Sequence, residues 1–166
     1  MAKDIRLVLV RGEWHEVSCA LLADGVTAPV KELLELLDQG EWPDPNVSEF
    51  PDERQAKHKL RFLANLEQLA DYGDLERDYN FLEDGVWEFK VESLRVTFYD
   101  TPGDGTYSPK DGVHFQYWAR RYELPEDFDY LIRLGHYFGK NSQKAPRAEI
   151  NRAFEVRKED LAHDCN

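Results

Sequence analysis

The sequence predicts an α+β domain, and three stretches carry that prediction. Residues 86–99, VWEFKVESLRVTFY, alternate apolar and polar side chains strictly, the pattern of two half-buried strands joined by a tight turn. Residues 27–40 and 52–73 repeat apolar side chains at the helical period, and residues 145–163 do so again behind a proline. Two helices before the central strands and one after them make a mixed fold in a chain of 166 residues, enough for one domain with its own core.

Taken in order, RLVLV (6–10) and WHEVSCALL (14–22), joined by Arg11-Gly12, read as strands. In TAPVKELLELLDQG, Val30, Leu33, Leu34 and Leu37 fall at i, i+3, i+4 and i+7. Thr27 offers a cap there, Pro29 sits in the first turn and Gly40 is a stop. Three prolines make residues 41–51 a loop. A longer helix begins near Asp52, with Gln55 three residues on as in a capping box, and runs through Leu60, Phe62, Leu63, Leu66 and Leu69 to Gly73. These two helices are expected to pack together and onto a sheet.

In the central pair, Trp87, Phe89 and Val91 face one way together with Leu94, Val96 and Phe98, and Glu92-Ser93 makes the turn. Glu88, Lys90, Arg95, Thr97 and Tyr99 face the other way. A further strand, LIRLGHYF (131–138), sends Ile132, Leu134, His136 and Phe138 to the core and Arg133 and Tyr137 to the polar side. Lys90, Arg95, Tyr99, Arg133 and Tyr137 are then expected on a single open face, with the basic turn of Lys140, Lys144 and Arg147 at its rim. His136, on the core side, reads first as a satisfied core histidine. The last helix carries Ile150, Ala153, Phe154 and Leu161 at helical spacing, with Arg147, Arg152, Arg157 and Lys158 outward.

Charge narrows the function classes. The net charge is −12, yet it is uneven: residues 1–130 carry 14 Lys and Arg against 28 Asp and Glu, and residues 131–166 carry 7 against 5. An acidic chain repels nucleic acid at long range, so any contact with it must rest on local geometry. No run of about 18 apolar residues is present, which argues against a membrane span. The N-terminus is too charged for a secretory signal, so a cytoplasmic protein is expected. Cys19 and Cys165 stand far apart without metal-ligand spacing, and no metal, cofactor or disulfide framework is expected.

The order helix, helix, VWEFKVESLRVTFY, LIRLGHYFGKNSQKAPRAEINRA resembles the RelE/HigB-like toxins of bacterial and phage type II toxin–antitoxin systems. His136, Phe138, Lys140, Gln143, Lys144 and Pro146 carry the likeness, in a strand ending His-X-Phe that leads into a Lys-rich turn and a terminal helix. The resemblance implies a compact antiparallel twisted sheet, with two N-terminal helices packed on one face and a C-terminal helix. It implies one domain over residues 1–166, interrupted by an insertion at about 101–130. It also implies an mRNA interferase that cleaves messenger RNA on the ribosome without a metal, and a cognate antitoxin as partner.

The polar residues suit that chemistry. Cleavage by a neighbouring 2′-hydroxyl needs a group to take its proton, one to protonate the leaving 5′ oxygen, and cations for the charge that builds on phosphate. Arg95 and Arg133 can fork onto phosphate oxygens, Lys90 can hold charge or exchange a proton, and Tyr137 can donate a hydroxyl. Tyr99, Lys140, Lys144 and Arg147 are expected to bind RNA, with His136 and Glu88 as second-tier candidates. In the insertion, Tyr117, Trp118, Arg120, Arg121 and Tyr122 interleave aromatic and basic groups as a stacking surface does, although a packed strand has the same pattern. Two other functions stay open: a non-catalytic toxin of the same fold that binds a protein, as gyrase-directed relatives do, and a phage or mobile-element interaction protein.

Overall fold

A computed structural model describes residues 5–114, 122–140 and 144–165. Two short strands come first, β1 (Val8–Arg11) and β2 (Glu16–Cys19), then helices α1 (Pro29–Gln39) and α2 (Gln55–Tyr72). A meander follows, of β3 (Tyr79–Glu83), β4 (Val86–Val91) and β5 (Leu94–Thr101). After the short pair β6 (Val113–His114) and β7 (Tyr122–Glu123), β8 (Leu131–Gly139) returns to the main sheet and α3 (Arg147–Ala162) closes the chain. Among the described residues the main sheet has six strands in the order β1-β2-β8-β5-β4-β3, and β6 pairs with β7 separately.

The α+β class holds, but the sheet is mixed and not antiparallel throughout. β2 runs parallel to β8, with Glu16 opposite Leu131 and Cys19 opposite Leu134, while its other neighbours pair antiparallel. A parallel pair needs a long crossover, and α1, α2 and the meander supply it. The turn at Glu92-Ser93 falls where the alternation puts it, with Glu92 in the left-handed region at φ 53°. β3 pairs with β4 as an extra strand for which the sequence reading has no counterpart.

α1 and α2 bury one face of the sheet. Leu33, Leu37, Phe62, Leu66 and Leu69 join Trp87, Phe89, Phe98, Ile132 and Leu134 in one apolar core. Phe89 stacks on Phe98 at 4.4 Å between ring centres, and Phe62 meets Phe89 edge-on at 5.7 Å. Leu60 leaves the stripe and stands exposed. Gln55 forms no capping box. Its buried amide accepts from the Trp42 backbone N–H at 2.9 Å and donates to the Trp42 carbonyl at 2.7 Å, so it holds the proline-rich loop. The α2 start instead has Asp52 Oδ1 accepting from Arg54 N at 3.0 Å.

The opposite face, expected open, is partly covered by α3, whose buried side chains are Ala153, Val156 and Asp160. A carboxylate in that position must be matched. Asp160 Oδ1 accepts from Arg6 Nε at 2.8 Å and from Leu21 N at 2.9 Å, and Oδ2 accepts from Arg133 Nη1 at 2.7 Å and from the Tyr99 hydroxyl. Asp164 takes a second contact from each arginine, at 3.1 and 3.0 Å. Burial pushes Asp160 upward, but Arg133 and Arg6 outweigh it and keep the carboxyl below its ordinary value.

β8 carries a bulge. Phe98 lies opposite Leu134 and Val96 opposite Tyr137, so β8 advances three residues while β5 advances two. From there on its alternation is inverted. Tyr137 packs against the helix-covered core near Glu32 of α1, and His136 and Phe138 turn to the α3 face. Thr97 plugs the bulge: its Oγ1 accepts the His136 backbone N–H at 3.0 Å, and a Cβ on Gly135 would come within 2.9 Å of the same oxygen.

The insertion is stapled to the sheet where it is described. Lys110 Nζ donates to the buried Asp100 at 2.8 Å, and the Trp87 indole donates to the Lys110 carbonyl at 2.9 Å. Tyr122 lies in β7, whereas Tyr117, Trp118, Arg120 and Arg121 lie outside the described residues.

Two stability predictions follow from this packing. Phe98→Ala should cost about 3–5 kcal/mol in urea unfolding, because the stacked ring leaves a cavity no neighbour can fill. Asp160→Ala should also cost about 3–5 kcal/mol, since it leaves two largely buried guanidinium groups to share Asp164 alone. Asp160 has a depressed folded-state pKa, so its stabilisation is complete above the unfolded carboxyl value of about 3.9 and is lost as pH falls through the lower folded value. Acid unfolding followed by circular dichroism should therefore lose that pH-dependent component in the Asp160 variant.

Candidate functional site

Beyond the reach of the Asp160 cluster, the same sheet face gathers a second set of charges. Glu88 and Lys90 come from β4, Arg95 from β5, and Lys140 directly follows β8. The strands bring them together by register: Glu88 pairs with Thr97 and Lys90 with Arg95, while Arg95 lies opposite Phe138 on the other side. Lys140 is fixed by its backbone N–H, which donates to the Ser93 carbonyl at 2.8 Å, and the Ser93 hydroxyl donates to Asp44 at 2.7 Å.

Burial sets the electrostatics. Glu88 is 0% exposed and Lys140 9%, and the Arg95 side chain is 13% exposed. Arg95 Nε stands 3.8 Å from Glu88 Oε2, an ion pair too long for a hydrogen bond. Among the described residues, neither Glu88 oxygen nor Arg95 Nε makes a hydrogen bond of good geometry. Arg95 Nη1 is pinned at the hairpin turn, donating to the carbonyls of Glu92 at 2.6 Å and Leu94 at 2.9 Å. Burial raises the Glu88 carboxyl, against the pull of Lys140, Arg95 and Lys90. Burial lowers Lys140, and Arg95 and Lys90 push it down further while Glu88 opposes them. Perturbed titratable groups around incompletely paired buried atoms make this cluster a candidate functional site.

His136 borders this cluster. Its Nε2 lies 3.1 Å from Glu149 Oε2, in the first turn of α3, and its Nδ1 lies 3.0 Å from Thr97 Oγ1. Burial lowers its pKa, and the Glu149 carboxylate raises it only in part.

The remaining sequence-predicted groups are placed elsewhere. Arg133 and Tyr99 are buried beneath α3 and hold Asp160, which occupies Arg133 Nη1 and the Tyr99 hydroxyl; this is not the open-face position expected of a phosphate grip. Tyr137 is on the α1 side because of the bulge, away from the cations it was expected to join. Arg147 reaches across to β3, donating to Glu83 at 2.6 and 3.1 Å, and Lys144 is exposed. Lys90, Arg95, Lys140, Glu88 and His136 are thus brought together, and Arg133, Tyr99, Tyr137 and Arg147 are not.

Two participants escape sequence reasoning. Glu149 is an ordinary acidic residue in the first turn of a helix, and nothing in its spacing points to His136. Asp160 has a signal, since Ala153, Val156 and Asp160 at intervals of three and four put one acid on an otherwise apolar stripe. Among the described residues no group of three or more His, Cys, Asp and Glu side chains is placed to hold a metal ion. Compared with known protein families and with curated protein sequences, the chain matches none of either.

The His136 environment gives a titration prediction. By NMR, the His136 imidazole should titrate below the usual value of about 6.5 and be neutral at pH 7. Glu149→Gln removes the one carboxylate that stabilises the imidazolium, so the midpoint should move lower still. An unchanged midpoint would mean that Glu149 does not govern this histidine.

Proposed function

We propose that the protein is the toxin of a toxin–antitoxin system, a cytoplasmic ribosome-dependent endoribonuclease that inhibits translation by cutting messenger RNA. The observation that carries this reading is the gathering of Lys90, Arg95 and Lys140 at one place on the sheet, beside His136. The chain order of those residues matches the RelE/HigB-like pattern that their sequence context resembles.

In the reaction, the 2′-hydroxyl gives its proton to solvent as its oxygen attacks the adjacent phosphorus. The bond to the 5′ oxygen breaks with that oxygen taking up a proton, and a 2′,3′-cyclic phosphate forms. The Arg95 side chain keeps 13% of its surface exposed while its Nε is buried, so it is the exposed part of that cation that a phosphate oxygen can reach. Lys90 adds positive charge where the phosphate becomes more negative. Burial lowers the Lys140 pKa, which eases transfer of its proton to the leaving oxygen, and solvent restores that proton afterwards. His136 has both ring nitrogens engaged and orients the α3 end of the site. With a net charge of −12 the protein binds free RNA weakly, and the ribosome positions the substrate. A cognate antitoxin would silence the site by laying an acidic or apolar segment over the same cations.

One observation favours a second reading. Arg133 and Tyr99 serve the α3 anchor, so the same fold could act as a protein-binding toxin or a phage-borne interaction protein with no need of acid–base groups.

Primer extension on a message incubated with ribosomes and purified protein decides between them. Wild type should cut, and Arg95→Ala should slow cleavage on the order of 10²–10³-fold with the fold retained. Arg11→Ala, which removes only an exposed pair with Glu16, should leave the rate unchanged. Absence of cleavage by wild type would select the second reading.

A further inference from the structure

We infer that Glu88 is the positioning residue of this cluster, a buried counter-ion that holds Arg95 and Lys140 in place and acts on substrate only through them. The inference rests on reading the cluster as an RNA-cleaving site.

Glu88 cannot itself meet a substrate. It lies in the middle of β4 between the buried side chains of Trp87 and Phe89 and is 0% exposed. A carboxylate removed from water in this way requires compensation, and Lys140, Arg95 and Lys90 are the cations whose charge acts on it. The compensation takes an unusual form. At 3.8 Å the carboxylate balances the buried Nε edge of Arg95 by charge without a hydrogen bond, which keeps the guanidinium near one point. The carbonyls of Glu92 and Leu94 fix the Nη1 edge of the same group, so Arg95 is held from two sides while its Nη2 hydrogens are not part of either contact.

Without the carboxylate, three cations would face one another in a poorly solvated place. Like charges in such a place repel, as the lowering of Lys140 by Arg95 and Lys90 shows. Lys140 would shed its proton or swing out, and Arg95 would lose its second anchor. The other groups around Glu88 do not substitute for it: Asn80 on β3 and Thr97 on β5 lie opposite it in register and are uncharged, though the Asn80 amide draws the carboxyl down slightly. From the α3 side, Glu149 is engaged with His136, and Arg152 acts on that same histidine.

The test follows one proton and one rate. In wild-type protein without RNA, the Glu88 carboxyl carbon and the Arg95 Nε–H are observed by NMR from about pH 4 to about pH 9. Both should shift in a single shared step, with a midpoint above the usual glutamate value of about 4.3. In Glu88→Gln, which keeps the shape and removes the charge, the Arg95 step should vanish. Ribosome-dependent cleavage by that variant should lose kcat on the order of 10–100-fold with KM nearly unchanged, and Glu88→Asp should recover part of the loss. An Arg95 Nε–H that is flat with pH in wild type, or a step that persists in Glu88→Gln, overturns the inference, and the wild-type titration decides even if the variant folds poorly. A shared step in a protein that never cleaves RNA upholds Glu88 as the counter-ion and counts against the RNA reading alone.

Discussion

A single buried carboxylate governs how the two faces of this sheet are used. Asp160 sits on the inner side of α3 with no solvent to stabilise it, so the helix can dock only where positive and hydrogen-bonding groups await it. Arg6 from the chain entry, Leu21 after β2, Tyr99 from β5 and Arg133 from β8 meet at that one side chain. Segments more than 130 residues apart in sequence are thereby joined, Leu21 and Asp160 being 139 apart. The opposite face needs no such device, because the α1 and α2 side is filled mainly by apolar side chains.

That docking divides the polar face into two kinds of charge cluster. Under α3 the carboxylate receives short hydrogen bonds from every side, and such a network fixes one arrangement of the chain. Beside it, Glu88 and Arg95 stand 3.8 Å apart with buried polar atoms that no described residue satisfies. Among the described residues each cluster keeps one buried arginine Nε without a hydrogen-bond partner. Arg133, however, is 3% exposed under α3, whereas the Arg95 side chain is 13% exposed and its carboxylate neighbour receives no short hydrogen bond, which makes the second the better candidate for contact with a substrate. The bulge in β8 sharpens the division. It turns His136 toward Glu149 and away from the apolar core, and it puts Tyr137 on the α1 side.

Much of the fold is legible in the sequence because local signals and tertiary packing agree. The period-2 pattern of residues 86–99 and the apolar spacing of α1 both name the side that meets the shared core, although in β4 and β5 most of the polar positions are buried as well. The failures share a cause, in that each depends on what lies across from the residue and not on its neighbours in sequence. A bulge adds one residue to β8 without any change in composition, so strict alternation misplaces His136, Phe138 and Tyr137. Gln55 has the position of a capping residue but finds the Trp42 backbone within reach. Arg133 and Tyr99 have the types expected of a nucleic-acid site, yet Asp160 claims them. Of the candidate site, Lys90, Arg95 and Glu88 could be grouped from the hairpin register alone, whereas the approach of Lys140 and Glu149 required the folded chain.

The central claim is that the under-paired cluster, and not the buried one, meets the substrate phosphate. Arginine side-chain NMR during titration with inorganic phosphate tests it most directly, since weak binding still moves the resonance of a donor that engages the anion. The account predicts a saturable shift of the Arg95 guanidinium resonances with the Arg133 side chain unmoved. A shift at Arg133 with none at Arg95 would contradict it.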